Sequence, residues 1–291
     1  MGIGERDPHT GHMTTGHEWN GITELNTPVP RPVYVFLAAA ALFAILYWVL
    51  MPAWPTGGSY TKGLLGYDQR AAVAESLREA ALGRAALTKK IAAEGFDAIA
   101  ADRDLMDTVR QTGRALFGDN CAACHGREAT GNKGFPNLTT ASWLWGGSPE
   151  TIAETIRVGI NSAHPDSRTS QMPAFGRDGV LPRIEIENVV AYVKSLSEPQ
   201  SARGHEAAVA AGRKVFASTC AACHGEQGTG NSELGTPNLA DQFWIYGGDS
   251  ETLVKTVWGG RQGQMPTWEA RLTPVERKIL ALYVYDLRRR Q

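Results

Sequence analysis

The stretch GRALFGDNCAACHG at Gly113–Gly126 returns as GRKVFASTCAACHG at Gly212–Gly225. The two copies contain all four cysteines of the chain, which are Cys121, Cys124, Cys220 and Cys223. Each pair has the form C-x-x-C-H, the recognised signature of covalent attachment of a c-type haem. The thiols add across the two vinyl groups of the haem, and the adjacent His125 or His224 lies beneath the iron. The sequence therefore predicts two covalently bound haem c groups.

Other roles for the cysteine pairs fit the sequence less well. A thioredoxin-like redox pair belongs in a βαβ setting, and no such strand pattern surrounds either copy. A zinc site built from both pairs is conceivable by ligand count, but it leaves two histidines and two Met-Pro motifs unexplained. A disulfide across three residues is unusual and strained. Covalent haem attachment is the interpretation that uses every residue of the motif.

The repetition continues beyond the cysteine motif. PNLTTASWLWGGSPETIAETIRVG at Pro136–Gly159 matches PNLADQFWIYGGDSETLVKTVWGG at Pro237–Gly260. Each copy then reaches a Q-M-P triplet and closes with an amphipathic helical pattern. Two copies at so long a period indicate a tandem duplication. We therefore expect two tandem domains, at 108–200 and 201–291.

A methionine lies in each Q-M-P triplet, Met172 in the first copy and Met265 in the second. Haem iron in electron-transfer proteins usually has a second axial ligand, and methionine in that position raises the reduction potential. Both methionines are therefore predicted iron ligands, opposite His125 and His224. Spacing does not say which haem each methionine reaches, because a loop can cross to the neighbouring domain. His164 is an alternative ligand for the first haem, although its segment favours a polar surface histidine.

Two further groups of side chains have structural interpretations. Trp143 and Trp244 recur in the repeat and are expected to wall the haem pockets, where large apolar side chains exclude water. The terminal Arg288, Arg289 and Arg290 are expected to form a solvated helix end.

An apolar run precedes the repeats. Val33–Met51 lies in a stretch without charged residues between Arg31 and Lys62. A helix of that length nearly crosses a hydrocarbon core about 30 Å thick, at about 1.5 Å per residue. We predict one uncleaved transmembrane anchor at 33–54. The flanking segments are a polar tail at 1–32 and a helical connector at 55–107.

The charge pattern excludes one class of partner and leaves the orientation of the anchor open. The formal net charge of −1 gives no sign of a nucleic-acid binder. Positive residues flank the anchor on both sides, so the positive-inside bias is weak.

Short motifs around the anchor complete the pattern. WNGITELNTPVPR lies before it, and PAWP at Pro52–Pro55 and GLLGYDQR at Gly63–Arg70 follow it. Together with the two haem motifs, they make nearly the whole chain resemble the CcoP/FixP family, the dihaem cytochrome c subunit of cbb3-type cytochrome c oxidases. The resemblance implies an all-α fold, with one N-terminal transmembrane helix followed by two tandem class I cytochrome c domains.

The resemblance also implies how the site residues are shared between the haems. Residues that match the family pattern for the first haem are Cys121, Cys124, His125 and Met172. Those that match it for the second are Cys220, Cys223, His224 and Met265.

Finally, the resemblance implies a cellular setting. The chain is expected in the bacterial inner membrane, with a cytoplasmic N-terminus and periplasmic haem domains. Expected partners are membrane lipid, a catalytic haem-copper subunit, a monohaem cytochrome c subunit and a cytochrome c electron donor. The chain itself would relay electrons and have no catalytic residue. The alternative is a dihaem enzyme, such as a peroxidase, in which one haem has an open coordination position.

Overall fold

The computed structural model describes residues 4–289 and is mostly helical. The predicted segments 1–32 and 201–291 therefore extend beyond the described residues at Met1–Ile3 and Arg290–Gln291. The chain divides into two compact units between Gly83 and Arg84.

The first unit begins with a hairpin of two antiparallel strands, β1 (Thr14–Trp19) and β2 (Ile22–Leu25). Asn20 and Gly21 form the turn between them, and both have positive φ angles. Two-residue hairpin loops favour this dipeptide because both central positions need a left-handed backbone. The sequence analysis predicted only a polar tail here and missed the signal of the Asn-Gly pair.

Helix α1 (Arg31–Leu50) follows the hairpin and coincides with most of the predicted anchor. Within the described residues, it is the one helix long and apolar enough to cross a membrane, with a mean hydropathy of 2.4. None of its residues is buried within the protein. Such an exposed apolar surface requires an apolar solvent, as a lipid bilayer provides.

Residues that follow α1 form hydrogen bonds with the carbonyl groups at its C-terminal end. The backbone N–H groups of Leu64 and Leu65 donate to the carbonyls of Val49 and Leu50, at 2.9 and 3.0 Å. These bonds satisfy acceptors that a helix C-terminus otherwise leaves free. The anchor therefore ends at Leu50, several residues before the predicted boundary at 54.

Two helices form the predicted connector, α2 (Gln69–Ala93) and α3 (Phe96–Ala101). Their ends are part of the core of the second unit, because Ile91 and Ile99 are fully buried there. They pack with the buried residues Leu105, Met106, Val109, Ile279 and Leu282. The predicted connector thus contributes to the core of the second unit.

The rest of the second unit repeats one order of helices twice. The helices are α4 (Arg103–Asn120), α5 (Ala122–His125), α6 (Pro149–Val158), α7 (Arg183–Ser197), α8 (Glu206–Val215), α9 (Ala221–His224), α10 (Ser250–Gly259) and α11 (Pro274–Arg289). A π-helical turn, Phe216–Cys220, joins α8 to the second cysteine motif. A 3-10 turn, Pro199–Ala202, separates the two copies.

The two copies exchange their closing helices. Helix α11, from the end of the second copy, packs against α4 and α6 of the first. The core formed in this way contains Phe117, Ile152, Ile156, Leu280, Ala281 and Val284. Helix α7, from the end of the first copy, packs against α8 and α10 of the second. Its core residues Val189 and Val193 surround Phe216.

Glycines at corresponding positions allow these exchanged helices to approach. A Cβ atom on Gly113 would lie 2.6 Å from Cβ of Tyr283 in α11. A Cβ atom on Gly212 would overlap the backbone carbonyl of Asn188 in α7. Arg110 also forms an ion pair with Asp286 of α11, at 3.0 Å. The exchanged helices therefore lie in close contact with a glycine in both halves.

Replacing Gly212 with Ala is expected to lower the free energy of unfolding by about 1–3 kcal/mol, since a backbone carbonyl cannot move aside as a side chain can. Thermal unfolding of the purified protein, followed by circular dichroism, measures the effect. Gly118→Ala is the matched control, because that Cβ atom would have nothing within 4 Å. Because alanine has a higher helix propensity than glycine, this control should leave the free energy of unfolding unchanged or raise it slightly. Equal thermal stability of the two variants would contradict the packing of α8 on α7.

Candidate haem-binding sites

Each cysteine motif sits in a short helical turn at the end of a longer helix. The backbone N–H of Cys121 donates to the carbonyl of Phe117, so α4 runs directly into the motif. Cys121 and Cys220 are half-buried, whereas Cys124 and Cys223 are exposed, and all four thiols are free. The two motifs therefore present the same pattern of one inner and one outer thiol.

Each motif histidine has one ring nitrogen fixed by a backbone carbonyl. Nδ1 of His125 lies 3.1 Å from the carbonyl oxygen of Pro136, and Nδ1 of His224 lies 3.1 Å from that of Pro237. A donor role for Nδ1 leaves Nε2 with its lone pair, the tautomer that binds a metal ion. Burial lowers the pKa of both histidines, an effect that these hydrogen bonds partly offset. Both rings are therefore prepared to act as neutral ligands.

The inner cysteines do not have the properties of a thiolate site. Burial, with a smaller contribution from Cys124, raises the pKa of Cys121 to about 11. Burial and Cys223 do the same for Cys220. Thioredoxin-like thiols have lowered pKa values, so these raised values argue against a redox pair of that kind.

The Q-M-P loops cross between the two copies. Met265 and Ile160 exchange two backbone hydrogen bonds of 2.9 Å, which places the second methionine at the end of α6. Met265, Cys121 and Ala122 all pack against the core that contains Phe117. A Cβ atom on Gly159, where φ is +73°, would overlap the carbonyl oxygen of Met265. The second loop therefore lies in the half that contains the first cysteine motif.

Met172 makes the corresponding contacts in the other half. Its backbone N–H donates to Arg261 at 2.8 Å, and its carbonyl accepts from Arg261 at 3.1 Å. A Cβ atom on Gly260, where φ is +69°, would overlap the carbonyl oxygen of Met172. The first loop thus lies at the end of α10, beside the helices that carry the second cysteine motif.

His164 has both ring nitrogens engaged. Nε2 lies 2.7 Å from a carboxylate oxygen of Glu269, and Nδ1 accepts from the backbone N–H of Asp166 at 3.0 Å. Arg157 bridges the same Glu269 at 3.0 Å. The His164 side chain is only 9% exposed, which is less than its polar segment suggested. It joins the two copies through a polar network, because Glu269 lies just after the second Q-M-P loop.

One cavity of about 1030 Å³ is lined by the loops that follow both cysteine motifs. Trp143 and Trp244 line it and also pack against the cores of their respective halves. The two loops contact each other, since Ser142 Oγ donates to Asp241 at 2.6 Å. Both tryptophans thus belong to a space that the loops of the two copies share.

Buried donors that lack a hydrogen-bond partner show whether the loops after the first motif could bind a haem. Among the residues that the structure describes, buried side-chain atoms without a hydrogen-bond partner are Trp143 Nε1, Trp145 Nε1, Arg168 Nε and Ser201 Oγ. Three of them are N–H donors in or beside the first Trp-rich loop. A haem carries two propionate carboxylates, which accept hydrogen bonds. The donor set therefore fits the group that the cysteines predict.

Sequence reasoning missed the arginines of this region. Arg168 lies over the ring of Trp145, with its guanidinium carbon 5.0 Å from the ring centroid. Arg261 lies over Tyr246 at 4.3 Å. The signal was present, because both copies read R-x-x-Q-M-P, at 168–173 and 261–266.

Two family models match separate parts of the chain. Residues 11–58 match the family model described as the N-terminal domain of cytochrome oxidase-cbb3, FixP. Residues 108–193 and 207–284 match the model for cbb3-type cytochrome c oxidase subunit III. Both predicted cytochrome c domains therefore have a matching stretch. Because cytochrome c domains of this type carry covalently bound haem, the two stretches correspond to two haem c groups.

Curated relatives match over almost the whole chain. A FixP subunit of Bradyrhizobium sp. (strain ORS 278) is 48% identical over 283 residues, covering 97% of each chain. A CcoP subunit of Azospirillum sp. (strain B510) is 45% identical, also covering 97% of each. A CcoP subunit of Cereibacter sphaeroides is 43% identical and covers 94% of each.

Proposed function

The chain belongs to the CcoP/FixP family of cbb3-type cytochrome c oxidase subunits, and we propose that its two haems take their ligands crosswise from the two copies. As a member of this family it is a membrane-anchored cytochrome c subunit that relays electrons within an oxidase complex. It is a non-catalytic subunit of an oxidoreductase and carries two covalently bound haem c groups. The exchange of α7 and α11 is the observation that carries the proposal on ligands.

The first haem is bound by residues of both copies. Cys121 and Cys124 form its thioether bonds, and His125 supplies Nε2 as the proximal ligand. Met265 would supply its thioether sulfur as the second protein ligand of the iron, in place of Met172. Support comes from the packing of Met265 and Cys121 against the same core, and from the backbone pairing of Met265 with Ile160.

The second haem is bound in the mirrored way. Cys220 and Cys223 attach it, His224 is the proximal ligand and Met172 the distal one. The pairing of Met172 with Arg261, beside α10, supports this assignment. Helix α7, which follows Met172, packs on α8 and α10 and so draws the loop into that half.

When bound, each haem supplies an iron that cycles between its ferric and ferrous states. The protein residues keep the ligand set constant in both states. The Pro136 and Pro237 carbonyls hold the imidazoles in one orientation. Trp143 and Trp244 exclude water, and a methionine sulfur stabilises the ferrous state relative to the ferric. Six-coordinate iron leaves no position for a substrate, which favours a carrier over the alternative of a dihaem peroxidase.

The setting in the membrane is the second part of the proposal. The haem-binding unit lies in the periplasm and the N-terminal hairpin in the cytoplasm, with α1 across the inner membrane. Electrons arrive from a soluble or membrane-bound cytochrome c. They leave towards the catalytic haem-copper subunit, with the monohaem cytochrome c subunit as a further partner.

Replacing both cysteines of one motif with Ala tests the attachment of the haems. Either Cys121 and Cys124 or Cys220 and Cys223 are changed, and about half of the covalently bound haem is expected to disappear, because thioether bonds need those thiols. Haem staining after denaturing electrophoresis measures it. Undiminished staining in both variants would refute the attachment sites.

Protease added to right-side-out spheroplasts tests the orientation. The haem-binding unit after Arg84 is expected to be digested, whereas an epitope tag at the N-terminus remains intact. Permeabilised cells, in which the tag is also lost, are the control. Digestion of the tag alone in intact spheroplasts would reverse the orientation.

A further inference from the structure

We propose that a polar network of Arg157, His164 and Glu269 positions Met265 as the distal ligand of the first haem. This role presupposes the crosswise ligation proposed above, and it names what holds the exchanged loop in place. The three side chains are positioning residues, because they act on the iron only through the loop that carries the methionine. They come from both copies, since Arg157 and His164 belong to the first and Glu269 to the second.

The carboxylate of Glu269 is the centre of this network. Its Oε1 accepts from Nη1 of Arg157 at 3.0 Å, and its Oε2 lies 2.7 Å from Nε2 of His164. Because Nδ1 of His164 accepts from the backbone N–H of Asp166, Nε2 carries the proton and donates to the carboxylate. The hydrogen bond with His164, followed by that with Arg157, lowers the pKa of Glu269 and keeps this group anionic. Both oxygens are thus held by residues of the first copy.

The donors that reach Glu269 are themselves fixed. Nε and Nη2 of Arg157 donate to the two carboxylate oxygens of Glu154 at 2.9 and 2.8 Å, and Nη2 also lies 3.2 Å from a carboxylate oxygen of Asp166. The Arg157 side chain is 28% exposed and that of His164 9%. Solvent screens such partly buried pairs less than exposed ones, and a network of several charges stabilises more than an isolated surface pair.

Further bonds connect the loop of Met265 to helix α6. Glu269 lies four residues after Met265 in the same loop. Between them, the hydroxyl of Thr267 donates to the carbonyl of Arg157 at 2.6 Å. The backbone N–H of Trp268 donates to the preceding carbonyl of α6 at 3.1 Å. Loss of the Glu269 contacts would therefore loosen the loop on the helix beside which the methionine is held.

The second half holds its methionine loop without charges. In the aligned repeats, Trp258 occupies the position of Arg157. Gly176 follows its Q-M-P triplet where Glu269 follows the other. A Cβ atom on Gly176 would overlap the ring of Trp258, so this loop rests directly on the indole. His164 has no counterpart there, because the loop is shorter in the second copy. The loop of Met172 is therefore held by apolar packing, which does not depend on attraction between charges.

The consequence is that the first haem has a distal ligand whose binding depends on charge. When the loop loosens and Met265 leaves the reduced iron, carbon monoxide can take its place. The rate of carbon monoxide binding is then proportional to the fraction of molecules in which the methionine is released. Loss of one hydrogen bond to a charged group should raise that fraction about tenfold.

Carbon monoxide binding to the reduced full-length protein in detergent tests the proposal. Glu269→Ala removes both contacts and is expected to raise the binding rate at one haem about tenfold or more, and to lower the potential of that haem. His164→Phe removes one donor and should act at the same haem less strongly. Glu269→Gln keeps an acceptor for Nε2 of His164 and should restore part of the loss. Glu251→Gln is the matched control, because that side chain is 78% exposed and pairs with Lys255 on α10.

Ionic strength separates an electrostatic role from a purely structural one. The screening length falls from about 30 Å at about 0.01 M salt to about 3 Å at about 1 M. This increase in salt should speed carbon monoxide binding at the first haem of the unaltered protein. It should have little further effect in Glu269→Ala, in which the ion pair is already absent. The first haem is identified as the one whose potential falls in Met265→His. A rate at that haem that does not respond to salt would contradict the electrostatic basis of the proposal.

Covalent haem content and the near-infrared methionine-to-iron band are recorded for every variant. If neither Glu269→Ala nor His164→Phe changes carbon monoxide binding, the positioning role is overturned while the proposed function stands. An equal increase at both haems, or an equal effect of Glu251→Gln, would overturn it as well. If the unaltered protein carries fewer than two haems, or Met265→His leaves both potentials unchanged, the proposed function fails instead. If Glu269→Ala does not accumulate, Glu269→Gln and His164→Phe decide by the same criteria.

Discussion

Met265→His is expected to lower the potential of the haem at Cys121 and Cys124, although Met265 belongs to the second copy. Imidazole donates more strongly than a thioether and favours ferric iron, and axial ligands tune haem potentials over a range of about 0.8 V. The experiment uses a variant in which Cys220 and Cys223 are Ala, so that one haem remains. The measurements are the midpoint potential and the near-infrared methionine-to-iron band, which should vanish.

Met172→His in the same single-haem background is the matched control. Its loop lies beside α10 and the second cysteine motif, so neither the potential nor the band should change. The opposite result, a shift with Met172→His and none with Met265→His, would establish pairing within each copy. A shift with neither would remove both methionines as ligands of the first haem. His164 would be a poor alternative ligand for the first haem, since both of its ring nitrogens already have hydrogen-bond partners.

A chain that ends at Arg203 is expected to keep the first haem covalently attached but to lose its sixth ligand. The truncation removes Met265 and α11, so the core around Phe117 loses Leu280, Ala281 and Val284. Burial of a Leu or Val side chain contributes about 1.5–3 kcal/mol, so the first half should be strongly destabilised. Its haem should become five-coordinate and bind carbon monoxide in the reduced state.

Full-length Met265→Ala separates loss of the ligand from loss of the helix. It should open the first haem to carbon monoxide while α11 stays in place. The truncated chain still contains the complete first copy, including Met172. A methionine-to-iron band and no carbon monoxide binding in that chain would therefore contradict the crosswise arrangement.

Local patterns predicted most of the elements and the chemistry of the attachment sites. C-x-x-C-H requires only that neighbouring side chains project from one short helical turn, and α5 and α9 form that turn. The anchor was predictable because about 20 apolar residues determine a transmembrane helix by themselves. The hairpin turn could also have been predicted from its own residues, Asn20 and Gly21. It was overlooked because the segment has little apolar content.

Contacts of the side chains were less predictable. His164 appeared to be a surface histidine because its own segment is polar, yet its partner Glu269 comes from the other copy. Arg288 appeared to be a frayed end because Gly147, which makes room for it, is far away in sequence. The burial of both side chains depends on a neighbour that is distant in sequence.

The sequence by itself determined that this chain has one anchor, two haem motifs, two Q-M-P loops and two closing helices. Only the tertiary structure decided which closing helix packs on which motif. The patterns of α7 and α11 are both amphipathic, so hydrophobic periodicity does not distinguish between their two possible partners. The loops before them are long enough to reach either half, and loop-closure entropy changes little with such a difference in length. Close contacts at Gly113 with Tyr283 and at Gly212 with Asn188, with the ion pair of Arg110 and Asp286, select the exchanged arrangement.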